Sequence, residues 1–148
     1  MGTEQKVAVI TGASRGIGAA LVKAYRDRNY RVVATALSIT PSNDADILTV
    51  PGDIADRKTA ERATSEGMTR FGRIDTLVNN AGIFIGKPFT QYTEADFSAI
   101  LGVNTAGFFH TTLPSPRRHP NSANHSKARR PGMKQYSPPR TVTNCGRP

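Results

Sequence analysis

A glycine-rich loop near the start of the chain has the residue types and spacing of an anion-binding turn. It spans Thr11–Gly18, reads TGASRGIG, and lies between a β-branched run and an amphipathic stretch. Glycines let the backbone approach a pyrophosphate closely, and the N-terminus of a following helix attracts negative charge. The alternative is a tight turn that only packs the helix on the strand. The strand–turn–helix context favours nucleotide binding.

Other polar residues with candidate roles come later in the chain. Asp53 follows the third predicted strand and Asn80-Ala81-Gly82 follows the fourth, although either could be an ordinary turn. Asn104 is less usual, because it lies on the apolar stripe of the last predicted helix. A buried amide without partners would cost about 1–3 kcal/mol. We therefore expect Asn104 to be hydrogen-bonded, either as a satisfied core residue or at a position that faces a groove.

Four short apolar runs predict the β-strands that would position these residues. They are Lys6–Thr11, Arg31–Ala36, Ile47–Val50 and Thr76–Asn79. Helical patterns separate them, which predicts an α/β fold with a doubly wound parallel sheet. Chemistry in such a sheet lies at the carboxyl ends of the strands. The glycine-rich loop and the loops after the third and fourth strands are therefore expected to line one edge.

Three helices are predicted from apolar residues at helical spacing. The face of the first comprises Ile17, Ala20, Leu21, Ala24 and Tyr25. The second is expected to be capped by Asp56. Its apolar positions are Ala60, Ala63, Gly67 and Phe71. The last is expected to be capped by Thr93. Its stripe comprises Phe97, Ile100, Leu101, Asn104 and Phe108.

The positive charge of the chain is confined to one end. The 148 residues carry a formal net charge of +9. Residues 1–112 hold 12 basic and 11 acidic side chains, whereas residues 113–148 hold eight basic side chains, no acidic one, and seven of the 10 prolines. Such a segment buries too little apolar surface to offset the loss of chain entropy. The composition predicts a folded domain over 1–112 and a disordered Pro/Arg/Ser-rich tail over 113–148.

Residues 5–112 resemble the N-terminal half of the short-chain dehydrogenase/reductase family. The resemblance rests on the Thr11–Gly18 loop (the family's TGxxxGxG), Asp53, Asn79-Asn80-Ala81-Gly82 (NNAG), and Val103-Asn104 followed by Gly107. It implies hydride transfer between a nicotinamide dinucleotide and a small carbonyl or alcohol. With four strands instead of six or more, we expect a partial Rossmann-like sheet in the order 3-2-1-4. Its free edge would be the fourth strand.

The resemblance also implies roles for individual residues. The cofactor-binding residues would be Gly12, Ser14, Arg15, Gly16, Ile17, Gly18, Asp53, Ile54, Asn80, Ala81 and Gly82. Asn104 would be the catalytic Asn, which holds a water molecule in the proton relay. The second strand ends in Ala36-Leu37-Ser38, without the acid that favours NAD, while Arg15 is placed to meet a 2′-phosphate. The residues therefore predict NADP, with NAD as the alternative.

The rest of the family's catalytic set is not recognisable in the sequence. The nearest match to its Tyr-x-x-x-Lys pair begins at Tyr136 and contains two prolines, which would break the helix that sets the spacing. Ser126 has no strand pattern to support it as the catalytic Ser. General acid–base assistance alone is worth about 10²–10⁴-fold. We therefore expect a truncated or frameshifted form of such an enzyme, with impaired hydride transfer.

The composition of the basic tail also allows a different function. A segment rich in Lys and Arg can bind nucleic acid or another acidic partner. However, the tail has no recognisable RNA-binding motif, and Tyr136 is its only aromatic residue. Nucleic-acid binding is therefore the second hypothesis, behind the oxidoreductase.

The remaining features concern location and assembly. No apolar run approaches the ~20 residues of a membrane span. The single cysteine, Cys145, suits a reducing compartment, so a cytoplasmic protein is expected. No metal-ligand spacing joins it to any of the three histidines. Self-association is expected through the last helix or the free sheet edge.

Overall fold

The computed structural model describes residues 5–113 and contains one parallel sheet. Its strands are β1 (Val7–Thr11), β2 (Arg31–Ala36), β3 (Ile47–Pro51) and β4 (Thr76–Val78). They lie in the order β3-β2-β1-β4, which confirms the predicted fold class and strand order. Within the described range β4 pairs only with β1, so it is an edge strand, as predicted.

The predicted tail lies almost entirely outside the described residues. Only Leu113, at its first position, is included. The hypotheses for Ser126, Tyr136 and the basic arm therefore fall on residues that are not described.

Both faces of the sheet are covered by helices, so the strands are buried throughout their centre. α1 (Gly16–Asp27) packs on one face and α2 (Arg57–Phe71) on the other. Because side chains alternate along a strand, each face has its own cluster. The cluster beneath α1 contains Ala8, Ile10, Ala13, Val32 and Ala34. The cluster beneath α2 contains Val7, Val9, Val33, Val50, Ala63, Phe71 and Ile74.

α1 packs through a face that shares Leu21 and Tyr25 with the predicted one but excludes Ile17. Ile17 is 74% exposed, and Gly18 is the only fully buried residue of the helix. Leu21, Val22 and Tyr25 pack against the cluster beside it. The physical reason is a close backbone approach: a Cβ at Gly18 would lie 2.0 Å from the carbonyl oxygen of Gly12. This contact turns Gly18 towards the sheet and leaves Ile17 at the surface.

α2 agrees with its prediction. Asp56 caps it, because its side chain accepts a hydrogen bond from the backbone N–H of Lys58 at 2.9 Å. The helix ends at Gly72, which has a left-handed backbone with φ of 76°. All four predicted positions, Ala60, Ala63, Gly67 and Phe71, are buried, and Thr59 is buried as well.

The last helical region is less regular and less buried than predicted. α3 (Glu94–Leu101) begins with the predicted cap at Thr93, as part of a capping box with Asp96. A π-helical segment, Gly102–Gly107, then leads into α4 (Phe108–Thr112). The predicted stripe does not face the core: exposed members of it are Phe97, Leu101, Asn104 and Phe108. The buried positions of this region are instead Gly107 and Thr111.

Candidate functional site

A cavity of about 550 Å³ opens at the carboxyl ends of the strands. The loops after β1, β2, β3 and β4 all contribute to it, as the topology of a parallel sheet predicts. Every predicted cofactor residue except Gly16 lines it: Gly12, Ser14, Arg15, Ile17, Gly18, Asp53, Ile54, Asn80, Ala81 and Gly82. Gly16 begins α1 at the edge of the same loop. The structure therefore brings together residues that lie far apart in the sequence.

The glycine-rich loop allows backbone to form the floor of this cavity. Gly12 has φ of 64°, and a Cβ there would lie 2.8 Å from the Cα of Ala81. No side chain caps α1: the side chain of the N-cap residue, Arg15, makes no capping hydrogen bond, and the first turn of the helix contains no acid. The first N–H groups of α1 therefore have no capping side chain as acceptor. This arrangement suits an anion.

Thr11 and Asn80 join β1 to the loop after β4. The buried Oγ1 of Thr11 accepts hydrogen bonds from the backbone N–H groups of Asn80 at 3.0 Å and Ala81 at 2.9 Å. In return, the Nδ2 of Asn80 donates to the carbonyl oxygens of Thr11 at 3.0 Å and Gly12 at 3.2 Å. The NNAG segment is therefore fixed against the glycine-rich loop by four hydrogen bonds.

The charged residues that line the cavity are Arg15 and Asp53. The Arg15 side chain is exposed, as is that of Ser14. In the loop after β3, the side chain of Asp53 accepts a hydrogen bond from the N–H of Ala55 at 2.9 Å. This bond shapes the turn that places Ile54, which is 8% exposed, against the cavity.

Asn104 is hydrogen-bonded, as predicted, but it is exposed and not part of the core. Its Oδ1 accepts from the N–H of Ile83 at 2.8 Å, and its Nδ2 donates to the carbonyl oxygen of Ile83 at 2.9 Å. The amide thus pairs with the backbone of the loop that follows Gly82. Asn104 lines a smaller cavity of about 80 Å³, which shares Ile54, Ala81 and Val103 with the larger one. Of the two positions considered from the sequence, the groove-facing one is observed.

The predicted cofactor residues leave out several that line the main cavity, although Ala36 and Leu37 entered the prediction of the cofactor as a strand end without an acid. They are Thr35, Ala36, Leu37, Gly52, Ile83, Ala99 and Val103. The first four lie at or just after the carboxyl ends of β2 and β3. They could have been predicted from the sequence, because binding sites in parallel sheets lie at the carboxyl ends of the strands. The others depend on the path of the loop after β4 and on the position of the last helical region, which have no local sequence signal.

Comparison of the sequence with known protein families identifies the family of this chain. The sequence profile described as short chain dehydrogenase matches residues 6–115. The chain belongs to the short-chain dehydrogenase family. Members of this family are oxidoreductases that bind a nicotinamide dinucleotide.

Individual short-chain dehydrogenases show how far the likeness extends. An acetoacetyl-CoA reductase of Synechocystis is 35% identical over 114 residues, covering 77% of this chain and 47% of the relative. A sorbitol dehydrogenase of Cereibacter sphaeroides is 34% identical, covering 72% and 44%. The Brucella melitensis 3-ketoacyl-(acyl-carrier-protein) reductase, solved in complex with NADH, is 30% identical with a TM-score of 0.70, covering 74% and 48%. The chain spans about half the length of these relatives.

An ion pair joins the loop after β4 to the start of α3. Lys87 donates to the Oδ2 of Asp96, and the same oxygen accepts from the N–H of Thr93 at 2.8 Å. These hydrogen bonds, with the one from Lys87 the largest influence, lower the pKa of Asp96 to about 2. The carboxylate therefore stays ionised at neutral pH, and the ion pair ties the loop to the start of α3.

Between residues 5 and 113, none of the helices has both the length and the apolar character that a membrane crossing requires. Over the same range, no three His, Cys, Asp or Glu residues lie together in a way that could hold a metal ion.

Proposed function

We propose that residues 5–113 form the dinucleotide-binding part of an oxidoreductase that transfers hydride between NAD(P) and a small carbonyl or alcohol. The observation that carries the proposal is the cavity at the carboxyl edge of the sheet, lined by the predicted cofactor residues. Its volume of about 550 Å³ is typical of small-molecule sites, which measure about 300–1,000 Å³. The family membership supports the same chemistry.

The residues present fit such a dinucleotide. Gly12 and Gly18 leave backbone where side chains would fill the cradle, and the uncapped start of α1 suits a pyrophosphate. Asp53 and Ile54 would border the adenine ring, and Asn80 with Gly82 would hold the loop beneath the cofactor. When bound, the dinucleotide supplies or accepts the hydride. The chain's own residues bind and orient it.

We further propose that Asn104 takes part in the proton relay by holding a water molecule. Its amide is already oriented by Ile83, and each end retains one further hydrogen-bonding position. The printed sequence contains no Tyr-x-x-x-Lys, so hydride transfer by this chain is proposed to be impaired. Following NADPH absorbance with a panel of ketones and quinones tests this directly, and ordinary turnover would contradict it.

The cofactor is proposed to be NADP. In the wall of the cavity, β2 ends at Ala36 and the exposed Leu37 follows, so no acid is present there to pair with a ribose 2′-hydroxyl. Arg15 on the rim is the cation placed to meet a 2′-phosphate. Replacement Arg15→Ala is therefore expected to weaken NADPH binding by about 3- to 10-fold and to leave NADH binding nearly unchanged.

Calorimetric titration with both dinucleotides measures this preference. The matched control is Arg28→Ala, which removes another Arg near the far end of α1, away from the cavity. Equal or tighter binding of NADH by the unaltered chain would contradict the choice of NADP. So would an Arg15→Ala variant that retained full NADPH affinity. Loss of binding in the Arg28→Ala variant would show that the effect is not local.

Self-association through the last helical region or the edge of β4 is also proposed. Apolar side chains of that region are exposed, among them Phe97, Phe108 and Phe109 at 60%, 56% and 56%. Exposed apolar surface of this kind favours association, which sedimentation velocity would measure. A cytoplasmic location and the division into 1–112 and 113–148 likewise remain proposals. The comparisons give no support to the nucleic-acid alternative.

A further inference from the structure

The sheet edge that carries the cavity extends unequally to the two sides of the glycine-rich loop. This loop follows β1, and the strands lie in the order β3-β2-β1-β4. Two strands therefore lie on one side of the loop and, among residues 5–113, one strand lies on the other. With about 4.8 Å between neighbouring strands, the edge extends about 10 Å towards β3 and about 5 Å towards β4. A ligand centred on the glycine-rich loop thus meets more protein towards β3.

Towards β3 the cavity is bounded by strand ends and by the last helical region. The loop after β3 packs against that region, where a Cβ at Gly102 would lie 3.4 Å from the Cβ of Ala55. A Cβ at Gly107 would lie 2.7 Å from the Cγ2 of Ile54. Ile54 and Val103 both line the cavity. This end of the cavity is therefore enclosed by two elements that pack on each other.

Towards β4 the described wall of the cavity ends after one loop. The last residue of this loop that lines the cavity is Ile83, which is 39% exposed. The next residue, Phe84, is 88% exposed and does not line the cavity. Among residues 5–113, β4 is also the edge of the sheet. A ligand group that reaches past Ile83 therefore has solvent, and not protein, as its neighbour in the part of the chain that the structure describes.

A dinucleotide extends in both directions from its pyrophosphate, with one nucleoside on each side. In the proposed function the adenine lies beside Asp53 and Ile54, so adenosine occupies the enclosed end and the nicotinamide riboside points towards β4. We propose that this site is specific for the ADP moiety and binds ADP-ribose as tightly as the corresponding dinucleotide. Its ligand class then includes adenine nucleotides without a nicotinamide ring. The inference rests on the proposed function, because it uses the same cavity and the same orientation.

The contacts open to each part of the ligand give the physical reason. The pyrophosphate meets the backbone of the glycine-rich loop and the first N–H groups of α1. Adenosine meets the two packed elements at the enclosed end. Towards β4, the described wall ends at Ile83. A ring that stays in solvent after binding buries little surface and adds little to the binding free energy.

Calorimetric titration of the full chain with matched pairs of ligands tests the inference. 2′-phospho-ADP-ribose retains every group of NADPH except the nicotinamide ring, so the 2′-phosphate and its contact with Arg15 are the same in both. It is expected to bind within about threefold of NADPH, and ADP-ribose within about threefold of NADH. Nicotinamide mononucleotide, which lacks the ADP moiety, is expected to bind at least about 100-fold more weakly than ADP-ribose.

Two variants at opposite ends of the cavity locate the affinity. Leu37 follows β2, lines the cavity and is 75% exposed. Leu37→Ala removes apolar surface at the adenosine end and is expected to weaken both NADPH and 2′-phospho-ADP-ribose by about 3- to 10-fold. Phe84→Ala is the control, because it removes an exposed apolar side chain just past the wall towards β4. It is expected to bind both ligands within about twofold of the unaltered chain.

The outcomes distinguish this inference from the proposed function. Binding of NADPH at least about tenfold tighter than 2′-phospho-ADP-ribose would show that the nicotinamide end is held as well. That result would overturn the inference and leave the proposed function intact. A loss of NADPH affinity in Phe84→Ala that exceeded the loss in Leu37→Ala would have the same meaning. If the unaltered chain bound neither dinucleotide and neither form of ADP-ribose, the proposed function would fail together with the inference.

Discussion

Replacement of Gly18 by alanine is expected to weaken dinucleotide binding by about 10- to 100-fold and to destabilise the chain by about 1–3 kcal/mol. The new Cβ would lie 2.0 Å from the carbonyl oxygen and 2.7 Å from the carbonyl carbon of Gly12. Both are backbone atoms, so neither can move without shifting the glycine-rich loop. The same Cβ would lie 2.7 Å from the Asn80 Nδ2, which bonds that loop. A shifted loop no longer presents its backbone to the pyrophosphate.

The matched control for this variant is Gly72→Ala. Gly72 ends α2 with φ of 76°, and a Cβ there would meet no heavy atom within 4 Å. Its replacement costs about 1–2 kcal/mol through the left-handed backbone alone and does not touch the cavity. Calorimetric titration with NADPH and urea unfolding measure both variants. If Gly18→Ala bound NADPH as well as Gly72→Ala, the glycine-rich loop would not be the pyrophosphate site.

The features that were predicted correctly from the sequence depend on local patterns. Two capping residues, Asp56 and Thr93, mark their helices because short polar side chains satisfy the N–H groups of a first turn. The strand order follows from the alternation of strands and helices, together with the family resemblance. The candidate site followed for the same reason, since strand ends share one edge of a parallel sheet.

The features that were predicted wrongly depend on contacts between distant segments. Ile17 fits the helical spacing of an apolar face, but the approach of Gly18 to Gly12 decides which face of α1 turns inward. The π-helical segment that contains Asn104 has no signature in the spacing of apolar residues. Likewise, the partner of Asn104 is Ile83, 21 residues away, on a loop whose path the sequence does not specify. The unpaired state of Thr35 is also visible only once its neighbours are placed.

Replacement of Thr11 by valine is expected to lower the free energy of unfolding by about 1–3 kcal/mol. Valine preserves the shape of the side chain but cannot accept the hydrogen bonds that the Oγ1 receives from the N–H groups of Asn80 and Ala81. The N–H of Ala81 would lose this acceptor, and the N–H of Asn80 would keep only the carbonyl oxygen of Val78 at 3.1 Å, at a position where Thr11 is only 2% exposed. β4 has three residues and, in the described range, pairs with β1 alone. The lost hydrogen bonds therefore weaken the attachment of the shortest strand of the sheet.

Two neighbouring threonines are expected to respond to replacement by valine with stability changes of opposite sign. Thr11 and Thr35 face each other across β1 and β2, and both are almost fully buried. Thr11→Val should destabilise the chain because it removes an acceptor from the N–H groups of Asn80 and Ala81. Thr35→Val should stabilise the chain because the Thr35 hydroxyl has no partner among the described residues. Thr11→Ser keeps an acceptor and should retain most of the stability. Urea unfolding of the three variants measures this directly, and equal stability of Thr11→Val and the unaltered chain would show that the Thr11 hydroxyl does not hold the loop after β4 in place.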